Sequence, residues 1–187
     1  NILGVHLEGP FINPNKLGVQ PPKAINPSIE FIKKIQNVAP IKIITLAPEL
    51  EGMDIFIDNL FKLGINIQFG HSLADYDCCA KFMKKHKIGF THLYNAMSGN
   101  HHRMPGVLEA ALELGDFAEI ICDFNHVSEA SIKIACERCA KIPLGSISAA
   151  VSVAFERAVE GVHFTIPVKT FAAVTTAVES AVVASAP

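Results

Sequence analysis

The sequence predicts an α/β fold built from parallel βα units. Short, almost continuously apolar runs of strand length alternate with amphipathic segments of helical period. From residue 41 onward the strand-like runs begin at intervals of about 24 residues, a spacing typical of a strand followed by a crossover helix. Because strands covered on both faces lack polar alternation, these apolar runs favour a parallel sheet with helices packed against it.

The element boundaries follow from caps and from the spacing of apolar residues. The helix predicted over 28–38 opens with a Pro-Ser entry and repeats Ile29, Ile32 and Ile35 on one face. Ser128 is a candidate N-cap for the last helix of the series. The predicted strands are 2–7, 41–46, 65–69, 88–92 and 117–122. The predicted helices are 28–38, 53–63, 74–86, 107–114 and 128–140.

The tail from Gly145 onward departs from this alternation. It predicts two helices, over about residues 146–160 and 167–185, with no strand before either one. The chain also begins at Asn1, without a methionine, and enters a strand at once. We therefore expect these residues to be part of a longer protein.

Composition and charge argue against several classes of partner. The chain is 50% hydrophobic and 18% charged, with a formal net charge of -2, which is ordinary for a soluble globular protein. It has no Lys/Arg stripe interleaved with aromatic residues, so we expect no nucleic-acid partner. It has no apolar run of membrane-spanning length, so we expect no membrane partner. Five cysteines without disulfide spacing indicate a reducing, cytoplasmic environment.

Polar side chains end or follow the predicted strands. In a parallel α/β barrel the carboxyl ends of all strands open on one face, and the chemistry is found there. We therefore expect these side chains to converge. They are Glu8, Glu49, His71, His92, and Asp123 with His126.

One carboxylate and two imidazoles from these strand ends would form a metal-ligand set. Oxygen and nitrogen ligands suit Zn²⁺ or a similar divalent ion, and three protein ligands leave a position open, as in catalytic sites. A lone strand-end histidine is more often simply hydrogen-bonded, and Glu8 by itself is equally compatible with a helix cap or a salt bridge. The repetition over several strands is what favours a metal site.

Five motifs resemble N-acetylglucosamine-6-phosphate deacetylase, a member of the amidohydrolase superfamily. They are GVHLEGPFINPNKLGVQPP, ITLAPEL, FGHS, GFTHLYNAMSGNHHRMPG and CDFNHVS. The resemblance is strong over about residues 1–141 and loose over 145–187. It implies a (β/α)8 barrel of the TIM type, represented here by an incomplete set of βα units. Residues 1–187 are then one partial catalytic domain, with βα units over 1–141 and C-terminal helices over 145–187.

The resemblance also assigns residues to roles. It implies that Glu8, His71 and His92 bind the metal, most readily Zn²⁺, with Fe²⁺ or another divalent ion as alternatives. It implies that Asn95 and Ala96 contact the sugar.

Two further regions are implied to bind the substrate. Arg103 and His126 match positions that bind the phosphate, and an arginine shared between subunits would imply a homodimer. The guanidinium suits this role because its donors contact phosphate oxygens in pairs. Val19 and Gln20 match a loop that covers the acetamide group.

The activity implied is the metal-dependent hydrolysis of N-acetylglucosamine 6-phosphate to glucosamine 6-phosphate and acetate, in amino-sugar catabolism. The family's general base is an Asp in a TDA-like sequence, and no such sequence is found here, so no catalytic residue is assigned. The family's N-terminal β domain is also not found. We expect Asp123 not to replace the missing Asp, because it matches a different position.

Two other interpretations remain. The first is a catalytically incomplete fragment that keeps the metal and phosphosugar contacts without the base. The second is a doubly wound nucleotide-binding fold, which predicts a glycine-rich turn after the first strand. EGPFINP is not such a turn, so this interpretation ranks last.

Overall fold

The computed structural model describes residues 3–115 and 117–140, together with two short segments, 150–152 and 165–167. The first two ranges hold five consecutive βα units, each a strand followed by a helix. Every strand and helix predicted within them is confirmed, with ends that differ by a few residues. The parallel α/β prediction is therefore confirmed for this part of the chain.

The five strands form one parallel sheet whose spatial order is the chain order. A doubly wound nucleotide-binding sheet instead reverses its order at a switch point, so the sequential order argues against that interpretation. Sequential order is the arrangement of α/β barrels, and closure into a barrel stays a prediction. The strands are β1 Val5–Glu8, β2 Ile41–Leu46, β3 Asn66–Phe69, β4 Ile88–Phe90 and β5 Phe117–Ala118.

The helices begin where side chains cap their free N–H groups. Ser28 accepts a hydrogen bond from the backbone N–H of Phe31 at 3.2 Å, and Asp75 accepts one from Cys78 at 2.8 Å. Ser128 caps the last helix in the same way, as predicted. The helices are α1 Ile29–Gln36, α2 Met53–Lys62, α3 Tyr76–Met83, α4 Val107–Leu114 and α5 Glu129–Ala140.

The sheet has one apolar face and one polar face. On the apolar face, Ile44 pairs with Ile67. Two residues further along, Leu46 pairs with Phe69 on the same face, and all four side chains are fully or almost fully buried. Phe69 meets Phe82 of α3 edge to face, with ring centroids 6.1 Å apart, so this face packs on the helices. Since side chains alternate along a strand, the residues between them, including Thr45 and Gln68, point the other way.

Two short strands lie in the tail, one within the first predicted helix and one at the start of the second. β6 Ala150–Ser152 and β7 Thr165–Pro167 pair antiparallel, with Val151 opposite Ile166. The helix prediction over 146–160 is therefore wrong at residues 150–152, and a strand does precede 167–185. The physical reason is that a short apolar run with β-branched residues is compatible with both the helical and the strand period. Pairing with a second strand then decides between them. The remainder of both predicted helices lies outside the described residues.

No helix in the described part of the chain combines the length and apolar character needed to cross a bilayer. The longest, α5, has 12 residues.

Candidate metal centre

Three side chains from different strand ends meet at the carboxyl edge of the sheet. The Nε2 atom of His71 lies 2.7 Å from Oε1 of Glu8 and 3.0 Å from Nε2 of His92. The Nε2 atom of His92 lies 3.4 Å from the same Glu8 oxygen. Within the described residues these three side chains form the group of potential ligands, with their donor atoms all within 4.8 Å of one another. Glu8 ends β1, while His71 and His92 follow β3 and β4.

Both histidines have left-handed backbone conformations. The φ angle is 51° at His71 and 35° at His92. A side chain with a Cβ atom tolerates this region poorly, at a cost on the order of 1–2 kcal/mol per residue. Such strain persists only where the surroundings fix it, and it concentrates at functional sites. Here it turns both imidazoles back over the end of the sheet, toward Glu8.

The second ring nitrogen of each histidine is held by a backbone carbonyl. Nδ1 of His71 lies 2.6 Å from the carbonyl oxygen of Lys16, and Nδ1 of His92 lies 3.2 Å from that of Asn95. A carbonyl oxygen can only accept, so each Nδ1 must donate its proton. Both Nε2 atoms are thereby directed at the site, in the way that outer contacts orient metal-bound histidines.

The side chains of this triad shift one another's pKa values. Hydrogen bonds from His71 and then His92 hold the pKa of Glu8 well below its usual range, although burial alone would raise it. Burial lowers the pKa of His71, but the hydrogen bond and charge of Glu8 and the Lys16 carbonyl outweigh burial and raise it. The raised pKa of His71 and the lowered pKa of Glu8 thus both favour the charged forms, which attract one another.

The donor set fits a divalent metal. Two imidazole nitrogens and one carboxylate oxygen are ligands that Zn²⁺ and related ions accept. Two of the three separations, 3.0 and 3.4 Å, are close to those expected around an ion with bonds of about 2 Å, while the third, 2.7 Å, is that of a hydrogen bond. The arrangement can bind a cation and leave further coordination positions for water or substrate.

Glu49 lies beside this triad and outside its group of potential ligand atoms. Its Oε1 accepts hydrogen bonds from Nδ2 of Asn13 at 2.9 Å and from the backbone N–H of Leu73 at 2.6 Å. Its Oε2 accepts one from Oγ of Ser72 at 2.7 Å. It thus joins the loops that follow β1, β2 and β3.

A chain of polar side chains crosses the polar face of the sheet below the triad. His6 contacts the Thr45 hydroxyl at 2.7 Å, and that hydroxyl lies 2.6 Å from the Thr91 hydroxyl. Thr91 donates to Gln68, which in turn donates to Glu119 at 3.2 Å. His6 thus contributes to the polar interior and lies outside the triad. Period-two alternation could have predicted this row, although not its pairings.

The predicted sugar-contacting residues border the triad. Asn95 donates its backbone N–H to the carbonyl of His92 at 2.9 Å, and Ala96 accepts from the backbone of Ser72 at 3.0 Å. The loop of Val19 and Gln20 passes close to His71, because a Cβ atom at Gly18 would lie 3.4 Å from the ring. The Val19 side chain itself is 99% exposed and points to solvent.

Arg103 is exposed in a loop whose two ends are fixed. Glu109 accepts hydrogen bonds from the backbone N–H groups of His101 and Gly106, each at 2.8 Å. Ser98 accepts from Val107 at 2.8 Å. Both ends of the loop are therefore held by hydrogen bonds, and Arg103 between them is exposed to solvent.

His126 forms a pair that the sequence analysis did not anticipate. Its Nδ1 lies 2.5 Å from Oδ2 of Asp123, and the His126 side chain is 50% exposed. Burial raises the pKa of Asp123, but hydrogen bonds from His126 and Asn125 outweigh this effect and lower it. The D-x-x-H spacing in CDFNH was the available signal, since a turn brings residues i and i+3 together.

A singly wound parallel α/β sheet with a carboxylate and two imidazoles at its carboxyl edge defines the class of protein, a candidate metal-binding α/β enzyme domain. No family model matches the chain. It is 43% identical over 138 residues to an N-acetylglucosamine-6-phosphate deacetylase of Bacillus subtilis, covering 72% of this chain and 35% of that protein. It is 32% identical over 158 residues to an N-acetylgalactosamine-6-phosphate deacetylase of Escherichia coli, covering 82% and 41%.

The fold is likewise similar to a solved deacetylase structure. A mutant N-acetyl-D-glucosamine-6-phosphate deacetylase from Mycobacterium smegmatis, in complex with N-acetyl-D-glucosamine-6-phosphate, matches with a TM-score of 0.70 and 26% identity. The match covers 81% of this chain and 40% of that one. The chain spans well under half the length of the relatives it matches. The particular resemblance predicted from the motifs, to N-acetylglucosamine-6-phosphate deacetylase, is confirmed.

Proposed function

We propose that this chain supplies the metal-binding part of an N-acetylglucosamine-6-phosphate deacetylase, which hydrolyses the N-acetyl group to release acetate and glucosamine 6-phosphate. The observation that supports this most is the triad of Glu8, His71 and His92, formed by the motifs on which the resemblance rests. Proteins similar to the chain are named for this activity. On this proposal the sheet is part of a (β/α)8 barrel, in a homodimeric cytoplasmic enzyme.

The metal we propose is Zn²⁺, with Fe²⁺ or another divalent ion as alternatives. Glu8, His71 and His92 would hold it, because their donor atoms converge and the histidine Nδ1 protons are engaged elsewhere. When bound, such an ion supplies Lewis acidity for the acetamide carbonyl and for the attacking water.

The remaining roles orient the substrate. Asn95 and Ala96 would contact the sugar, since their loop holds His92 and borders the triad. The loop of Val19 and Gln20 would cover the acetamide, with the Gln20 amide as a donor to its carbonyl oxygen. The exposed guanidinium of Arg103 would bind the phosphate.

His126 would be the second phosphate contact. Asp123 fixes its ring through Nδ1, which leaves Nε2 to donate to a phosphate oxygen. Asp123 is not proposed as the general base, because its two oxygens already accept bonds from His126 and Asn125. No described residue is assigned that role.

The test uses the full-length protein that contains this chain, after metal removal and reloading with Zn²⁺. Acetate and free amine should be released in equal amounts from N-acetylglucosamine 6-phosphate. N-acetylgalactosamine 6-phosphate, the C4 epimer, reports on sugar specificity, and unphosphorylated N-acetylglucosamine reports on the phosphate contacts. Tight binding of the sugar phosphate without any acetate release would instead support the incomplete binding fragment.

A further inference from the structure

Glu49 accepts hydrogen bonds from three donors that belong to two neighbouring loops. Nδ2 of Asn13 comes from the loop after β1, while the Ser72 hydroxyl and the Leu73 N–H come from the loop after β3. All three distances lie between 2.6 and 2.9 Å. Hydrogen bonds to an ionised carboxylate are roughly twice as strong as neutral ones, so this junction is firm.

The Asn13 end of this junction leads to His71. Asn13 donates its backbone N–H to the His71 carbonyl at 2.9 Å, and its own carbonyl accepts from the backbone of Lys16 at 2.9 Å. Lys16 in turn presents its carbonyl to Nδ1 of His71 at 2.6 Å. Glu49 is therefore two residues removed from the contact that selects the His71 tautomer.

The Ser72 end leads to the loop of His92. Ser72 is fully buried, its N–H donates to the carbonyl of Ala96, and its carbonyl accepts from Ser98, both at 3.0 Å. Ser72 also follows His71 directly, at the point where the backbone enters the left-handed region. The junction therefore restrains both strained histidine loops at once.

We propose that Glu49 is a positioning residue for the metal centre, which sets the orientation of His71 and the separation of the two histidine loops without touching the metal. This inference rests on the metal site proposed above. It explains why a carboxylate follows β2 while the triad takes its oxygen ligand from β1.

The chemistry of the three donors distinguishes the available substitutions. Glu49→Gln keeps one oxygen for Asn13 and Leu73, and its amide can donate to the lone pair of the Ser72 hydroxyl that the Ala74 N–H does not occupy. Glu49→Asp keeps the charge but is one methylene too short to reach all three donors. Glu49→Ala leaves all three without this partner.

The experiment measures Zn²⁺ dissociation constants of the full-length protein by competition with a chelator, under conditions where circular dichroism shows each variant folded. Glu49→Ala should weaken binding by about 10- to 100-fold, the range for outer contacts of metal ligands. Glu49→Asp should behave like Glu49→Ala, and Glu49→Gln should stay within about threefold of wild type. Glu51→Ala removes an exposed carboxylate two residues away and should leave the constant unchanged.

A second readout does not depend on metal. In ¹⁵N-histidine-labelled protein the Nδ1 proton of His71 should give a slowly exchanging downfield signal, because it is bonded to Lys16. Glu49→Ala should broaden or abolish this signal, and Glu49→Gln should retain it. If Glu49→Ala does not fold, Asn13→Ala removes one link of the junction and should weaken Zn²⁺ binding several-fold by the same reasoning.

The outcomes separate the two proposals. If folded Glu49→Ala protein binds Zn²⁺ as tightly as wild type and keeps the His71 signal, the positioning role of Glu49 is wrong. The proposed metal site would still stand. A wild-type protein that binds no divalent metal would overturn the metal site and, with it, this inference. Equal losses in Glu49→Gln and Glu49→Ala would also count against it, since Glu49→Gln keeps the acceptor oxygen for Asn13 and Leu73.

Discussion

Nε2 of His71 and Nε2 of His92 lie 3.0 Å apart, although each ring already donates through its Nδ1. Two unprotonated nitrogens at that distance, next to the Glu8 carboxylate, would repel one another. A cation among these atoms, either a proton on one of the two Nε2 atoms or a metal ion, would remove this repulsion. Metal binding is therefore the first property to test.

Removing one ligand should abolish tight metal binding. Glu8→Ala or His92→Ala leaves two protein ligands, and we expect the Zn²⁺ affinity to fall by about 100-fold or more, beyond the effect of outer contacts. Metal content after dialysis and chelator competition would measure it. The matched control is His86→Ala. His86 lies outside the triad, and its Nε2 is 2.9 Å from Oδ1 of Asp58. Near-normal metal content in either ligand variant would show that the assignment is wrong.

The strain at His92 gives a stability prediction with an unusual sign. At a φ of 35°, Ala is disfavoured by roughly 1–2 kcal/mol and Gly is not, while Gly loses more entropy on folding. In metal-free protein we expect His92→Gly to have a free energy of unfolding about 0.5–1 kcal/mol above that of His92→Ala. Urea denaturation would measure both values.

A helical position provides the control for this comparison. Lys34 is exposed within α1, where Ala is favoured over Gly by about 1 kcal/mol. Lys34→Ala should therefore be more stable than Lys34→Gly, the reverse of the order at His92. The same order at both positions would mean that His92 is not held in the left-handed region.

Arg103 should contribute mainly to binding of the phosphate. Charged hydrogen bonds contribute about 1.5–3 kcal/mol, so Arg103→Ala should raise KM for the phosphorylated sugar by roughly 10- to 100-fold with a smaller change in kcat. Steady-state acetate release gives both constants. Lys85→Ala, which removes another exposed cation, should change neither. An unchanged KM in Arg103→Ala would exclude Arg103 as a phosphate contact.

The half-buried thiol of Cys78 should react slowly near neutral pH. Burial first, and then the nearby carboxylates, raise the pKa of Cys78 to about 11. Because the thiolate is the reactive form, alkylation by iodoacetamide at pH 8 should be roughly 20-fold slower than for an ordinary thiol. The rate should rise about tenfold per pH unit until the pKa is approached. Peptide mass spectrometry measures it, with urea-unfolded chain as the reference.

Burial slows the reaction of two further thiols in the same way. It raises the pKa of Cys122 to about 12 and raises that of Cys79 as well. All three should therefore be labelled much faster after unfolding. Rapid modification of Cys78 in folded protein, at the rate of the unfolded chain, would contradict the burial described for α3.

Much of the fold could be predicted from local patterns. The five strands and five helices of residues 3–140 follow from apolar runs and caps such as Ser28 and Ser128, because each βα unit is built from short-range signals. The tail shows the limit of this reasoning. Val151 and Ile166 lie in strands that pair with each other, and nothing in their local period required a strand there.

The sequence by itself determined which residues are chemically able to form the site. Glu8, His71 and His92 follow strands, and parallel strands bring their carboxyl ends together, so their convergence could be expected in advance. The tertiary structure decided what local patterns do not encode. Only packing could place the Lys16 carbonyl on Nδ1 of His71, hold two histidines at positive φ, and fix their loops with Glu49. Those contacts join residues 23 to 55 positions apart, so they depend on loop geometry that no local pattern specifies.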